Sequence, residues 1–258
     1  MNHRNTFPSL RALLFPPRCV TCGDLLHPGA TCAEAFCPLC RAAWETAMVE
    51  AAESTRADAA RGLVYLTFYR GSRANGIPER LIYHLKHYGD PRAFAFVAER
   101  LAPRILEAAE RLPTRADGVA PRSERLPLLF TYPPRRASAI RTEGFDQAER
   151  LTKALSEACG GEFLPLIRRT RLPAREQKEL DAAGRAANAD LSYELTDDAN
   201  AVQALRGRVV VICDDICTTG ATLNRCARLL VEAGAALVIS ATVAHNHTTE
   251  GGTTATVR

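Results

Sequence analysis

Lysine is nearly missing from this chain. Of 33 basic residues only Lys86, Lys153 and Lys178 are lysines, and the rest are arginines. None of the three follows a glycine, so the Gly-Lys-Ser/Thr loop of P-loop ATPases is excluded. The dinucleotide fingerprint is excluded too, because no G-x-G occurs. Long apolar runs are also absent. A bilayer span needs about 18 such residues; the longest stretch here, 235–244, has ten and includes Ser240 and Thr242. Near the N-terminus, the apolar stretch 10–15 is broken by Arg11 and followed by Pro16 and Pro17, which is no signal peptide. The expectation is a soluble cytoplasmic protein with no membrane insertion. Only 6% of residues are aromatic and the net charge is +4, so stacking on single-stranded nucleic acid is only weakly expected. With 16 glycines and 15 prolines the chain is not low-complexity, and 47% hydrophobic residues exclude a disordered one. Its 258 residues allow one full domain plus a small module, or two domains at most.

Nine cysteines are too few for a disulfide scaffold at this length, and five of them lie between Cys19 and Cys40. Two C-x₂-C pairs, Cys19/Cys22 and Cys37/Cys40, are separated by fourteen residues. Each pair can present two thiolates from one tight knuckle, and two knuckles make the tetrahedral four-sulfur set that suits structural Zn²⁺. Gly23 favours the first turn. A redox C-x-x-C heads a helix in a βαβ setting, which the sequence does not suggest here. His27 and Cys32 lie between the pairs and rank below them as ligands. Cys159, Cys213, Cys217 and Cys226 sit in or beside apolar segments, where small buried thiols are usual.

The organisation follows. Residues 1–45 form a zinc-ribbon module, 46–60 a connector, 61–247 an α/β domain, and 248–258 a disordered tail. In the large domain, strands are expected at 63–69, 126–132, 208–213 and 237–243. Helices are expected near Pro78, over 91–106, over 147–158 and over 223–233. Asp146 and Glu149 have capping-box spacing, Gly160 fits a left-handed stop, and Leu151, Leu155 and Ala158 make the buried face. Residues 112–125 read as a loop. Alternating strands and helices imply right-handed crossovers and a mainly parallel sheet.

The most informative stretch is Val209-Val210-Val211-Ile212-Cys213-Asp214-Asp215-Ile216-Cys217-Thr218-Thr219-Gly220-Ala221-Thr222. A buried strand ends in two carboxylates, and a small hydroxyl-rich loop then opens a helix. Ligands of open α/β sheets bind at the carboxyl ends of strands. Backbone N–H groups of the loop and helix start can hold a dianionic phosphate, with hydroxyls from Thr218, Thr219 and Thr222. Gly220 allows close backbone approach. Asp214 and Asp215 can accept from vicinal sugar hydroxyls, so the combination describes a ribose 5-phosphate site. The bland alternative is a structural turn with two solvated aspartates.

This stretch resembles the signature of the type I phosphoribosyltransferases, which bind 5-phosphoribosyl 1-diphosphate (PRPP). Together with the cysteine module, Tyr69…Leu81-Ile82…Lys86…Tyr88-Gly89-Asp90, and Gly144-Phe145-Asp146-Gln147, the chain resembles the ComF family. That family is described as competence or DNA-utilisation proteins with a phosphoribosyltransferase-like domain. The resemblance implies a type I phosphoribosyltransferase-like fold with helices on both faces of the sheet. It gives Asp214 and Asp215 to the ribose at the reacting centre, and Thr218, Thr219, Gly220, Ala221 and Thr222 to the 5-phosphate. It gives Pro133, Arg135 and Arg136 to the pyrophosphate, which travels with Mg²⁺. Arg168, Arg169, Arg171, Gln177 and Lys178 would lie on a closing flap, and Gln177, Leu180, Arg185 and Asn188 match a downstream family series. Glu143 stands where the family has arginine, and Asp146 replaces its asparagine. No cysteine holds a glutaminase position. Two readings stay open: an Mg²⁺-dependent transferase acting on a nitrogen acceptor, and a non-catalytic protein that binds single-stranded DNA, a DNA-uptake helicase or another docking partner.

Overall fold

The computed structural model describes residues 16–26, 34–71, 73–112, 127–170 and 192–246. His27 and Cys32, the loop at 113–125, Arg171, the series from Gln177 to Asn188 and the tail from 248 lie outside them. The elements run in order as helix α1 (Pro38–Glu50), α2 (Ala52–Ala59), strand β1 (Leu63–Tyr69), α3 (Ile77–His87), α4 (Pro91–Arg111), β2 (Leu129–Thr131), α5 (Ala137–Glu143), α6 (Gln147–Ala158), β3 (Glu162–Phe163), β4 (Ile167–Arg169), β5 (Tyr193–Leu195), α7 (Ala199–Ala204), β6 (Val209–Cys217), α8 (Ala221–Glu232) and β7 (Leu237–Asn246). Five strands pair in the order β1-β7-β6-β2-β3. Every pairing in this sheet is parallel. β4 and β5 form a separate antiparallel pair.

The sheet is covered on both faces, as its run of β-branched residues requires. In β6, Val211 and Cys213 join one core with Leu81, Phe94, Val97, Leu101 and Leu151. Val210 and Ile212 join the other with Leu166, Tyr193, Leu205, Leu223 and Leu230. The expected α/β architecture is therefore present, with some boundaries displaced. The strand expected at 126–132 spans only Leu129–Thr131. β6 runs on to Cys217, because Thr242, Ala244 and His245 of β7 continue the ladder beside it. α4 continues through Pro103 to Arg111. In α6, Leu151 and Leu155 are buried as expected, but Ala158 is exposed and Ala148, Thr152 and Ser156 complete the buried face.

The cysteine segment is not a free bead on a linker. α1 runs across residue 45, where a module boundary was expected. Trp44 is fully buried. Its ring meets that of Phe96 from α4 at 5.7 Å, and Phe36 meets Phe96 at 4.3 Å. Arg92 fastens the same segment from α4. Its Nη1 donates to the Glu34 carbonyl at 3.2 Å and its Nη2 to the Arg18 carbonyl at 3.1 Å, while Asp90 Oδ2 accepts from Nη2 at 2.7 Å. Because Trp44 belongs to the main core, Trp44→Ala is expected to cost about 3–5 kcal/mol. Urea unfolding should show one transition for both segments, moved to lower denaturant.

Candidate functional site

Asp214 and Asp215 lie within β6 rather than beyond its end, and strand alternation sends them to opposite faces. Asp215, only 6% exposed, faces α3 and α6. Lys86 Nζ lies 3.1 Å from its Oδ2, and Gln147 Nε2 donates to the same oxygen at 3.5 Å. Asp214 faces the side of Tyr193 and Cys226. Its Oδ1 accepts from the backbone N–H of Asp215 at 2.8 Å. Burial, and then the charge of Asp215, raise the Asp214 carboxyl well above its ordinary value. The pair thus crowds two carboxyls into one strand, and Lys86 partly offsets the charge there.

The strand then opens into the hydroxyl-rich loop. Thr218 and Thr219 are exposed, Gly220 is buried, and Ala221 and Thr222 are half-buried at the start of α8. Gly220 takes φ +74° as the cap residue of this helix, a conformation that favours glycine. Gly220 brings no side chain to cap this helix, and Thr219 Oγ1 accepts from the Ala221 N–H at 3.4 Å. Free backbone N–H groups at a helix start suit a phosphate dianion.

On the neighbouring strand, β2 leads into Pro133, Arg135 and Arg136. Pro133 is buried, Arg135 half-buried and Arg136 exposed. Asp146 fixes this segment. Its Oδ2 accepts from the Arg135 N–H at 2.8 Å while its Oδ1 accepts from Ala148 N–H at the start of α6. The Asp146 cap is therefore present, but Glu149 pairs with Lys153 at 2.6 Å instead of closing a capping box. Arg135 Nη1 is buried with no hydrogen-bond partner among the described residues, as is Gln147 Oε1. Buried polar atoms of this kind are costly unless a ligand or water satisfies them. Glu143, at the expected arginine position, turns to α3, where its Oε1 lies 3.0 Å from His87 Nδ1. Arg168 and Arg169, expected on a flap, instead tie β4 to β5. Arg168 pairs with Glu194 and Asp197, and Arg169 donates to Tyr193 Oη at 2.8 Å. Arg171, Gln177 and Lys178 lie outside the described residues.

In the sequence, Lys86 and Gln147 stand out only as parts of longer motifs, and nothing local places either at the acids. The available signal was scarcity, since Lys86 is one of three lysines. The outlying thiols behave as expected. Burial pushes Cys159 up to about 11 and Cys217 and Cys226 to about 12, and raises Cys213 as well. All four are neutral thiols and none is an activated nucleophile.

The sulfurs of Cys19, Cys22, Cys37 and Cys40 all lie within 4.8 Å of one another. Cys22 Sγ and Cys37 Sγ are 3.8 Å apart. Zn–S bonds of about 2.3 Å at tetrahedral angles require S···S separations near this value. Gly23, at φ +78°, turns the first knuckle, and its N–H donates to the Cys19 carbonyl at 3.0 Å. Contrary to the sequence reading, the second pair does head a helix. Cys37 caps α1 and Cys40 sits in its first turn, with Pro38 between them. Gathering all four sulfurs is what sets this cluster apart from a two-cysteine redox site. Burial raises the Cys19 thiol, yet hydrogen bonds from Thr21 and from backbone N–H groups win and bring it to about 6. Cys22 and Cys40 stay raised, first by burial. The donor set and spacing fit a structural zinc ion.

A family model described as phosphoribosyl transferase domain matches residues 171–256. No curated protein matches the chain. Among solved structures, the chain is similar to the glutamine PRPP amidotransferase of B. subtilis at 17% identity and TM-score 0.36, covering 62% of this chain and 30% of that one. It is similar to the adenine phosphoribosyltransferase of Thermoanaerobacter pseudethanolicus at 21% identity and TM-score 0.35, covering 61% and 82%. It is also similar to the hypoxanthine phosphoribosyl transferase of Trypanosoma cruzi at 14% identity and TM-score 0.35, covering 62% and 71%. The chain therefore spans less than a third of the amidotransferase's length.

Two outcomes follow from the geometry. Elemental analysis of protein purified without chelator should find one zinc per chain, and Cys37→Ser/Cys40→Ser should lose it. Asp214 binds its proton more tightly in the folded than in the unfolded chain. Its contribution is present at low pH and is lost as pH rises above the ordinary 3.8 and through the raised folded value. Asp214→Asn should remove that loss and stabilise the fold at neutral pH by about 0.5–2 kcal/mol, measured by urea unfolding across pH.

Proposed function

We propose that this chain binds PRPP together with Mg²⁺ and transfers the phosphoribosyl group to a nitrogen acceptor, as a zinc-bearing member of the ComF family. The observation that carries the reading is the continuous passage from Asp214 and Asp215 in β6 into the glycine-capped start of α8. The buried, unpartnered Arg135 guanidinium nitrogen beside the next strand end supports it. In this reading Thr218, Thr219, Gly220, Ala221 and Thr222 hold the 5-phosphate, and Asp214 and Asp215 accept from the ribose hydroxyls. Arg135 and Arg136, with Pro133 stiffening their segment, receive the pyrophosphate. The oxygen donors of the two acids also fit a hard dication. When bound, Mg²⁺ neutralises the pyrophosphate and eases its departure.

The acceptor nitrogen attacks the anomeric carbon as the bond from that carbon to the pyrophosphate oxygen breaks. The bonding pair leaves with pyrophosphate, and the N–H proton of the acceptor passes to solvent. Positive charge builds on the sugar between these events, and two carboxylates at the ribose stabilise it. Lys86 neutralises Asp215 until the ligand arrives, and its flexible stem lets it move aside. Cys19, Cys22, Cys37 and Cys40 hold Zn²⁺ as a structural ion. The neutral outlying thiols suit a reducing compartment such as the cytoplasm.

Calorimetry tests the binding step, with PRPP and Mg²⁺ titrated into the intact protein. Micromolar binding is expected, weakened about a hundredfold or more in Asp214→Asn/Asp215→Asn, with pyrophosphate released when a nitrogen acceptor is added. No binding at millimolar PRPP, with salt-sensitive binding to single-stranded DNA in its place, would move the assignment to the DNA-uptake reading.

A further inference from the structure

β1 ends the strand order, with β7 between it and the acid-bearing β6. Beside β1, helices α2 and α4 border a cavity of about 330 Å³. That volume lies at the lower end of the range of small-molecule pockets, about 300–1,000 Å³. Its charged lining is Arg56 of α2 with Arg104, Glu107 and Arg111 of α4. Apart from Thr55 and Tyr65, the rest is apolar and mostly small, with Val64, Ala108 and Leu112 among it. None of these residues belongs to the proposed PRPP site.

Three guanidiniums here meet one carboxylate. Glu107 pairs with Arg111 at 2.6 Å, and both are exposed. Arg56 is exposed, and its Nε donates to the Ala52 carbonyl at 3.2 Å. Arg104 is half-buried, and its Nη1 donates to the Tyr65 carbonyl at 2.6 Å. That bond uses one of its five N–H donors. Neither Arg56 nor Arg104 forms an ion pair among the described residues. Asp58, the next acid along α2, is already engaged: it accepts from Tyr65 Oη at 2.9 Å and pairs with Arg61. Burial pulls the Arg104 guanidinium below its ordinary value, while the charge of Glu107 opposes that shift. A guanidinium that gives up hydration without a counter-ion is costly, and a bound anion offsets the cost. Covering a carbonyl of an edge strand needs only a neutral donor, so that duty does not account for the charge.

The guanidinium fork matches the two oxygens of a carboxylate. The apolar part of the lining gains by covering a carbon body, which an inorganic anion lacks. We propose that this cavity binds a small organic carboxylate with a compact apolar body. Arg104 and Arg56 receive the carboxylate, and Val64, Ala108 and Leu112 cover the body. The site goes beyond the phosphoribosyl reading and does not depend on it.

Ligand-observed NMR titration of the intact protein tests it. The probes are benzoate and 3-methylbutanoate, with their amides as uncharged matches and inorganic phosphate as the anion without a carbon body. At least one carboxylate is expected to bind with millimolar affinity or better, about tenfold or more tighter than its amide and than phosphate. Arg104→Gln, which keeps a donor for the Tyr65 carbonyl, should weaken it about tenfold or more. Arg56→Gln, on an exposed side chain, should weaken it about threefold or more. Urea unfolding checks that each variant is folded; if Arg104→Gln is not, Arg56→Gln alone decides. The proposal is overturned if neither carboxylate binds at about 10 mM, or if the amide or phosphate binds as tightly. Parental affinity in either folded variant overturns it as well.

Discussion

Two carboxylates inside a buried strand impose the constraint around which this fold is arranged. β6 is flanked by β7 and β2 and covered by helices on both faces, so most of its length is dry. An acid in such a place loses hydration and gains little in return unless a partner meets it. Asp215 has one in Lys86, with Gln147 beside it. Asp214 accepts from a backbone N–H among the described residues and has a raised proton affinity. A chain selected for stability alone has no use for this arrangement. Its presence is the best physical reason to treat the end of β6 as a working site.

Much of this was legible because it rests on local chemistry. The β-branched run 209–212 needs a two-sided core, and the two C-x₂-C pairs need a shared ion. The Thr-Thr-Gly-Ala-Thr run needs a strand-to-helix turn. The structure supplies the two-sided core, the four gathered sulfurs and the turn. What escaped was set by contacts distant in sequence. Nothing local to Asp214 and Asp215 says that they are split between the two faces, nor that Lys86, far upstream, reaches one of them. Arg168 and Arg169 illustrate the converse. Their charge suggested ligand contact, but Glu194, Asp197 and Tyr193 already engage them across the β4–β5 pair. The end of β6 was misplaced because a strand's length is decided by its neighbour's ladder, here that of β7.

The departures at Glu143 and Asp146 acquire a structural meaning through the same long-range contacts. Asp146 caps α6 with one oxygen and holds the Arg135 backbone with the other. A carboxylate offers acceptors on both sides, which these two donors require. Glu143 does not face the strand ends as a free charge, because His87 of α3 meets it at 3.0 Å. The contact therefore joins α5 to α3 next to Lys86.

α3 is thus the element through which the separate parts communicate. It bears Lys86 toward the acids, His87 toward Glu143, and Glu79 and Tyr83 toward a cavity beside the cysteine knuckle. Its buried face, Leu81, Ile82 and Leu85, lies in the same core as Trp44 and Phe36. A helix fixed on its apolar side by the cysteine-bearing segment can offer its polar side to ligands with little freedom left to lose. Loosening the four-sulfur cluster would loosen the packing that aims Lys86 and Tyr83, even though no sulfur touches the strand ends. That is why a cluster at the edge of this fold bears on the geometry at its centre.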